Sequence, residues 1–407
     1  MMFKSFTVVL FLVFSACFFA AEIVTYTNPV ITRSTPDPTL IRAADGYFYL
    51  YATEDIRNTP IYRSNNLVDW TLMGTAFTNA TRPTFEPNGG LWAPDINYIN
   101  GKYVLYYSMS VWGGEWTCGV GIATADKPEG PFTDMGKLFR SNEIGVQNSI
   151  DPFYIEDNGK KYLFWGSFRG IYYVELADNG LALKNPGNPQ PQQVAGTAFE
   201  GVYIYKRGDY YFMFTSIGSC CNGINSTYRL VVGRSNSLTG PYYNKQGDSM
   251  MSNGYSLVVG SNSRFVGNGH CSEIVSDEAG NDWIFFHGWD VDFPDNKRGL
   301  LLNKISWDRS GWPYVTSASP SITAEAPVFG TSGQKNVYEG LVQLQPGEKS
   351  LTIQSSLPLS AKVYTTTGQL LDAVVVNEQA QIRLATGIYI IRIHINGYSM
   401  VKKIFIS

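Results

Sequence analysis

The chain has 407 residues, of which 14% are aromatic and 16% charged, with 40 glycines and a formal net charge of −3. Near-neutral charge without a long basic run excludes electrostatic binding of nucleic acid. The length allows two or three domains, and the aromatic, glycine-rich composition predicts an all-β fold whose rings can stack on neutral ligands such as sugars.

In chain order, the first segment reads MMFKSFTVVLFLVFSACFFAAEIV. Lys4 followed by a short apolar run predicts a signal peptide over residues 1–21, cut near Ala20 or Ala21. A lipidated Cys17 is the alternative, although Phe14 fits a lipobox poorly. No later stretch is long and apolar enough to span a bilayer as a helix.

The first predicted strand pair is TPDPTLIRAADGYFYLYAT, where Pro36 and Pro38 hold Asp37 on an extended approach. The same pattern follows Asp95, Asp151, Glu200 and His270-Cys271. Each has two apolar residues near the start, a glycine-containing turn and a second strand. The turn is clearest at Asp157-Asn158-Gly159-Lys160, where Asn-Gly closes a hairpin. Repeats roughly 50–70 residues apart predict a propeller of four-stranded blades. Five repeats predict a five-bladed β-propeller over residues 22–318.

In this alignment Asp37, Asp95, Asp151 and Glu200 share one place, and His270 falls one place earlier. Blade symmetry would bring them to one axial pocket. An acid beside Pro or Gly also shapes turns, but four in register ask for more than turn chemistry. Trp92 lies three residues before Asp95, and Trp112 sits in the Gly-rich VWGGEW loop. Tryptophan is usually core, yet the acid beside Trp92 favours ligand contact. Asn148 and Ser167 flank the Asp151 hairpin and are further candidate substrate contacts.

Four cysteines follow the signal segment: Cys118, Cys220, Cys221 and Cys271. Cys220 and Cys221 either bridge each other or pair elsewhere. Without a C-x-x-C pair, a cysteine zinc site is not expected. His270 follows Gly267-Asn268-Gly269, which lets the backbone bend it into a channel. His287 ends a strand and reads as structural.

Composition changes after Ser317. Residues 319–340 read as a linker of small, polar and Pro-bearing residues. Residues 341–407 alternate in short runs that predict a small antiparallel β-sandwich without catalytic residues.

The motifs TPDPTLI, LWAPDI, SIDPF, FEGVYIY and GNGH, spread over residues 28–314, resemble glycoside hydrolase family 43. CCNGINSTYRLVVGRS, YYSMSVWGG and LFWGSF look most like its arabinan endo-1,5-α-L-arabinanases, while GNGHCSE departs from the GPGHNS form associated with them. The resemblance implies cleavage of α-1,5-L-arabinofuranosidic bonds in arabinan, as in pectin side chains, with inversion. It makes Asp37 the general base and Glu200 the general acid. Asp151 would orient Glu200 and raise its pKa. It also implies a hydrated calcium ion at the propeller centre, held through His270. Related members act as exo α-L-arabinofuranosidases or β-xylosidases. A carbohydrate-binding surface propeller without catalysis would share the aromatics but not need three axial acids. The tail GIYIIRIHINGYSMVKKIFIS resembles the C-terminal sorting domain of type IX secretion substrates. That implies contact with secretion machinery and delivery to the cell surface or medium. A monomer is expected.

Overall fold

Tight turns between aromatic strands generate most of the structure. At the hairpin after Asp151, Asn158 and Gly159 have φ of 51° and 75°. Two consecutive left-handed residues match the twist of the flanking strands, so Phe153–Asp157 pairs with Lys160–Trp165 in register from Phe153↔Phe164 to Asp157↔Lys160. The computed structural model describes residues 24–329, 341–366, 369–395 and 398–407. The predicted signal peptide and residues 330–340 of the predicted linker lie outside them.

The fold is all-β. Three separate four-stranded antiparallel sheets come first. The first group is Thr39–Arg42, Phe48–Tyr51, Pro60–Ser64 and Thr71–Thr75. The second is Gly90–Ile99, Lys102–Ser110, Gly119–Ala125 and Thr133–Arg140. The third is Phe153–Asp157, Lys160–Trp165, Ile171–Glu175 and Gln192–Ala195. A fourth group, Glu200–Arg207, Tyr210–Ile217, Arg229–Ser235 and Ser256–Val259, shares a nine-stranded sheet with a fifth. The fifth holds Phe265–Gly269, Asp282–Asp290 and Arg298–Trp307. One parallel pair, Arg229↔Asn268, joins these two groups.

Each group buries both faces against its neighbours, so inner strands are apolar throughout rather than alternating. Lys102–Ser110 is buried at every residue after Lys102. Its Tyr107 packs with Tyr49 and Tyr51 of the first group, while adjacent Tyr106 packs with Tyr154 and Trp165 of the third. The fifth group meets the first where Phe285, Leu300 and Leu302 pack on Leu40, Phe48 and Leu50.

Backbone N–H groups stitch these interfaces in a cycle. Asp37 donates to His287 Nδ1 at 3.1 Å, Ala93 to Thr53 Oγ1 at 2.6 Å, Asp151 to Ser108 Oγ at 2.8 Å and His270 to Ser216 Oγ at 2.8 Å. Gly201 donates to the Asp151 carboxylate. Each donor therefore reaches the preceding group, and the first group reaches the fifth. Three residues further on, or four after His270, Leu40, Ile96, Tyr154 and Ile274 repeat the pattern, donating to Glu273, Thr39, Asp95 and the Tyr203 hydroxyl.

The terminal strand Thr25–Thr27 pairs with Thr323–Glu325. Tyr26 donates to Leu302 O, and Asn28 Nδ2 reaches Leu302 O and Ser321 O. Phe329 packs edge-on against Phe48. Residues 319–329, read from sequence as the start of a linker, are thus fixed to the first unit by strand pairing and apolar contact. In the C-terminal region, Val342–Gly347, Ser350–Ser355 and Gln379–Arg383 form one sheet. Leu370–Val376, Leu359–Thr365, Gly387–Ile395 and Tyr398–Ile406 form another. Leu351, Ile353, Val363, Ile391 and Ile393 from the two sheets share a core.

Candidate active site

Five residues open the inner strands with left-handed backbone: Asp37, Ala93, Asp151, Gly201 and His270, at φ of 54°, 35°, 61°, 62° and 50°. Such conformations are uncommon outside Gly, Asn, Asp and His, and they concentrate at functional sites. They also define the true register. Ala93, not Asp95, stands with Asp37 and Asp151, and Glu200 rather than His270 is offset by one place. Asp95 lies two residues further along, where its Oδ2 accepts the Tyr154 N–H.

Asp37 is the most connected of the acids. Its Oδ2 accepts the Thr53 hydroxyl at 2.6 Å. Its Oδ1 is 3.2 Å from His287 Nδ1, 3.3 Å from His270 Nδ1 and 3.4 Å from an Arg298 guanidinium nitrogen. Burial alone would raise its pKa. The Arg298 charge and the two imidazoles outweigh burial and hold the carboxyl well below its usual range. Burial lowers the pKa of His287 to about 4. With Nδ1 accepting the Asp37 N–H, the neutral ring carries its proton on Nε2, a buried atom without a hydrogen-bond partner. His287, read from sequence as structural, thus holds the Asp37 backbone, with its Nδ1 beside the Asp37 carboxylate.

Glu200 opens its strand on the other side. Ser167 Oγ donates to its Oε2 at 2.6 Å. Burial raises the Glu200 pKa to about 7, opposed by the Ser167 and Tyr228 hydroxyls and reinforced by the Asp37 charge. Asp151 is also pushed well above the carboxylate range, first by burial and then by the charges of Glu200 and Asp37. Gly201 is required here for space: a Cβ would stand 2.9 Å from His270 Nδ1.

Asn148 and Ser167 both serve Glu200. Asn148 Nδ2 donates to Ser167 O at 2.9 Å, fixing the residue whose hydroxyl reaches the acid. Trp92 and Trp112 meet edge-to-face at 6.4 Å. Trp112 is 82% exposed, so it is not core. Half-buried Trp92 lies over Gly90, where a Cβ would be 2.3 Å from its Nε1.

Sequence reasoning missed Arg298, Tyr228 and Thr53. The Tyr228 ring stacks on His287 at 5.6 Å while its hydroxyl meets Glu200. It follows the loop of the Cys220–Cys221 bridge, so the adjacent cysteines pair with each other. Cys220 O accepts from Trp289 Nε1 and Ser226 Oγ. Cys118 and Cys271 are free and buried.

No group of three or more His, Cys, Asp or Glu among the described residues could hold a metal. With His270 Nδ1 turned to Asp37, Nε2 is the nitrogen left for an ion, and water would supply the remaining ligands. That donor set fits a hydrated cation, not a protein-caged one.

One buried carboxylate kept ionised and another kept protonated up to about pH 7 are the equipment of a glycoside hydrolase. Residues 26–313 match the family model for glycosyl hydrolases family 43, and residues 345–407 match the secretion system C-terminal sorting domain. The chain is 34% identical to the extracellular exo-α-(1→5)-L-arabinofuranosidase ArbA of Cellvibrio japonicus, over 69% of this chain and 85% of that protein. It is 33% identical to the extracellular endo-α-(1→5)-L-arabinanase 1 of Bacillus subtilis, over 68% and 86%. The solved α-L-arabinanase of Cellvibrio cellulosa complexed with arabinohexaose aligns with a TM-score of 0.63 at 32% identity, covering 70% of this chain and 96% of that one. The chain belongs to glycosyl hydrolases family 43. Its sorting domain marks it for secretion.

Proposed function

We propose that the protein is a secreted endo-acting arabinanase that hydrolyses α-1,5-L-arabinofuranosidic bonds with inversion, on a five-bladed β-propeller. The observation that carries the chemistry is the opposed protonation of Asp37 and Glu200 within one buried cluster. Asp37 takes the proton of the attacking water, and Glu200 gives its proton to the leaving oxygen. Asp151, which also accepts the Gly201 N–H, fixes the turn beside Glu200, and the mutual repulsion of the two carboxyls, added to burial, keeps a proton in the cluster. Supporting the five-bladed reading is the cycle of N–H bonds in which each strand group grips the one before it. The arabinan assignment is supported by the arabinanase relatives.

Trp92 and Trp112 would form an apolar wall for arabinosyl rings. His270 would hold a hydrated calcium ion through Nε2, supplying fixed positive charge beside the acids. The domain at residues 341–407 is read as a β-sandwich recognised by type IX machinery. An exo mode is the second reading, because the Cellvibrio japonicus relative carries that name. Chromatography of products from linear arabinan decides: early oligosaccharides of mixed length support endo action, and release of one short product from the start supports exo action. A wild-type enzyme that binds arabinan and releases no reducing sugar would overturn the catalytic reading.

A further inference from the structure

A cavity beside the fourth strand group shares no residue with the acid cluster. Tyr210, Arg234, Tyr243 and Trp312 border a cavity of about 410 Å³, with Asn236 and Ser237 on its rim. The Arg234 guanidinium lies 4.0 Å from the Tyr210 ring centroid and 4.5 Å from that of Trp312. One of its nitrogens donates to Ser310 O at 2.9 Å. Among the described residues, its other N–H groups meet no protein acceptor and no carboxylate lies within ion-pair distance. The neighbouring Asp308 is taken by Lys245. Two aromatic faces therefore hold a charged fork in place and leave part of its edge open.

A guanidinium edge matches a planar carboxylate in two parallel hydrogen bonds. The rest of the rim is unlike a site for a carboxylate alone. Tyr243 is 43% exposed, and Asn236 and Ser237 are exposed beside it, Asn236 Nδ2 reaching Asp209 O at 3.4 Å and Ser237 Oγ meeting Thr239 Oγ1 at 3.2 Å. Ring face, hydroxyl and amide are the groups that meet the C–H face and vicinal hydroxyls of a pyranose. An acidic side chain of a peptide has no such hydroxyls. Across the 236–241 loop lies a second cavity of about 500 Å³, lined by Tyr162, Tyr173, Gln190 and Gln192, by Glu175 and Lys184, which pair with each other, and by Thr239 from the loop. Its rings and amides suit neutral sugars.

We propose that this surface is a secondary glycan-binding site in which Arg234 takes the carboxylate of a uronate residue and Tyr243 its ring, with flanking sugars running towards Tyr162 and Tyr173. Its function is to hold the enzyme on a polysaccharide that contains uronates. This does not depend on which bond the acid cluster cuts.

Titration of the full chain with trigalacturonate, followed by calorimetry, tests it. Wild type should bind saturably, and the fully methyl-esterified trimer should not bind. Arg234→Gln and Tyr243→Ala should each weaken binding about tenfold or more, as loss of a charge-assisted pair or a stacking face does. Turnover on linear arabinan should be unchanged in both. Should Arg234→Gln fail to fold, Tyr243→Ala, at an exposed rim position, decides together with the esterified ligand. Absence of wild-type binding, equal binding of the esterified trimer, or unchanged affinity in the variants overturns the proposal. Equal affinity for a tetraglutamate peptide overturns the sugar class. Failure of wild type to cut arabinan would count against the proposed reaction and leave this binding result standing on its own.

Discussion

Two sets of buried and half-buried acids lie along the inner strands, and they do different work. Asp37, Asp151 and Glu200 stand at the strand openings; Asp95 and Glu273 stand two or three residues further along. Burial raises the pKa of Asp95 and Glu273, and the latter reaches about 7. By that measure Glu273 equals Glu200. Its oxygens, however, are occupied: Oε2 accepts the Leu40 N–H at 2.6 Å and Oε1 the Thr39 hydroxyl at 2.8 Å. Asp95 likewise accepts from Tyr154 N and Asn97 Nδ2. The deeper pair is used to join strand groups. Only the outer set has Arg298 and two imidazoles beside one member, which separates an ionised carboxylate from protonated ones. A perturbed carboxyl therefore marks chemistry only where neighbours push two groups in opposite directions.

The two sets should differ most when their members are replaced. Glu200→Gln and Asp37→Asn should each cut kcat about 10²–10⁴-fold, the usual worth of a general acid or base, while circular dichroism shows the fold retained. Near-normal turnover in either would erase the distinction between the two sets. Glu273→Ala should do the reverse. It strands the buried Leu40 N–H and Thr39 hydroxyl, costing about 1–3 kcal/mol for each unsatisfied group, read as a lower denaturation midpoint with kcat little changed. Because folding raises the Glu273 pKa, its proton favours the folded state at low pH. That contribution is complete below the ordinary glutamate value and is lost as pH rises through about 7. Glu273→Gln should flatten this part of the stability profile.

Finer changes separate the two members of the outer set. Arg298 lowers the pKa of both Asp37 and Glu200. Arg298→Gln should move the whole pH profile of kcat/KM towards higher pH, both limbs together. Ser167→Ala removes a donor to ionised Glu200 alone, so only the basic limb should move up. A shift of the acid limb in Ser167→Ala would show that Ser167 acts beyond Glu200. The smallest effect on the fold belongs to Trp112→Ala, which should raise KM for arabinan oligosaccharides and leave Tm unchanged, given the exposure of that ring.

Much of this was legible because hairpins carry local signals. Asn158-Gly159 sets its own turn, and the Asp-Pro pairs announce Asp37 and Asp151. The register error at Asp95 came from aligning acids instead of prolines. Pro38, Pro94 and Pro152 share one place in the structure, which puts Ala93 beside the two aspartates. Arg298, His287 and Tyr228 carried no local pattern. Their roles depend on the fifth strand group meeting the first, and on a ring stacked across two groups, so spacing along the chain could not reveal them. Asn148 and Ser167, read from sequence as substrate contacts, bond within the site: Ser167 donates to Glu200, and Asn148 holds Ser167 through its carbonyl.

The pairing of Thr25–Thr27 with Thr323–Glu325 has a kinetic consequence. A chain synthesised and exported from its N-terminus presents Tyr26 long before Ser321, its partner 295 positions later. Contacts of that sequence separation carry a large loop-closure cost and form slowly. The first strand group must wait, with Leu40 N and the Asp37 backbone unsatisfied, until Glu273 and His287 have emerged. The acid cluster is therefore complete only once the fifth strand group has joined the first. Its residues all precede the sorting domain at 345–407, so a chain emerging from its N-terminus holds every member of the acid cluster before its delivery signal is complete.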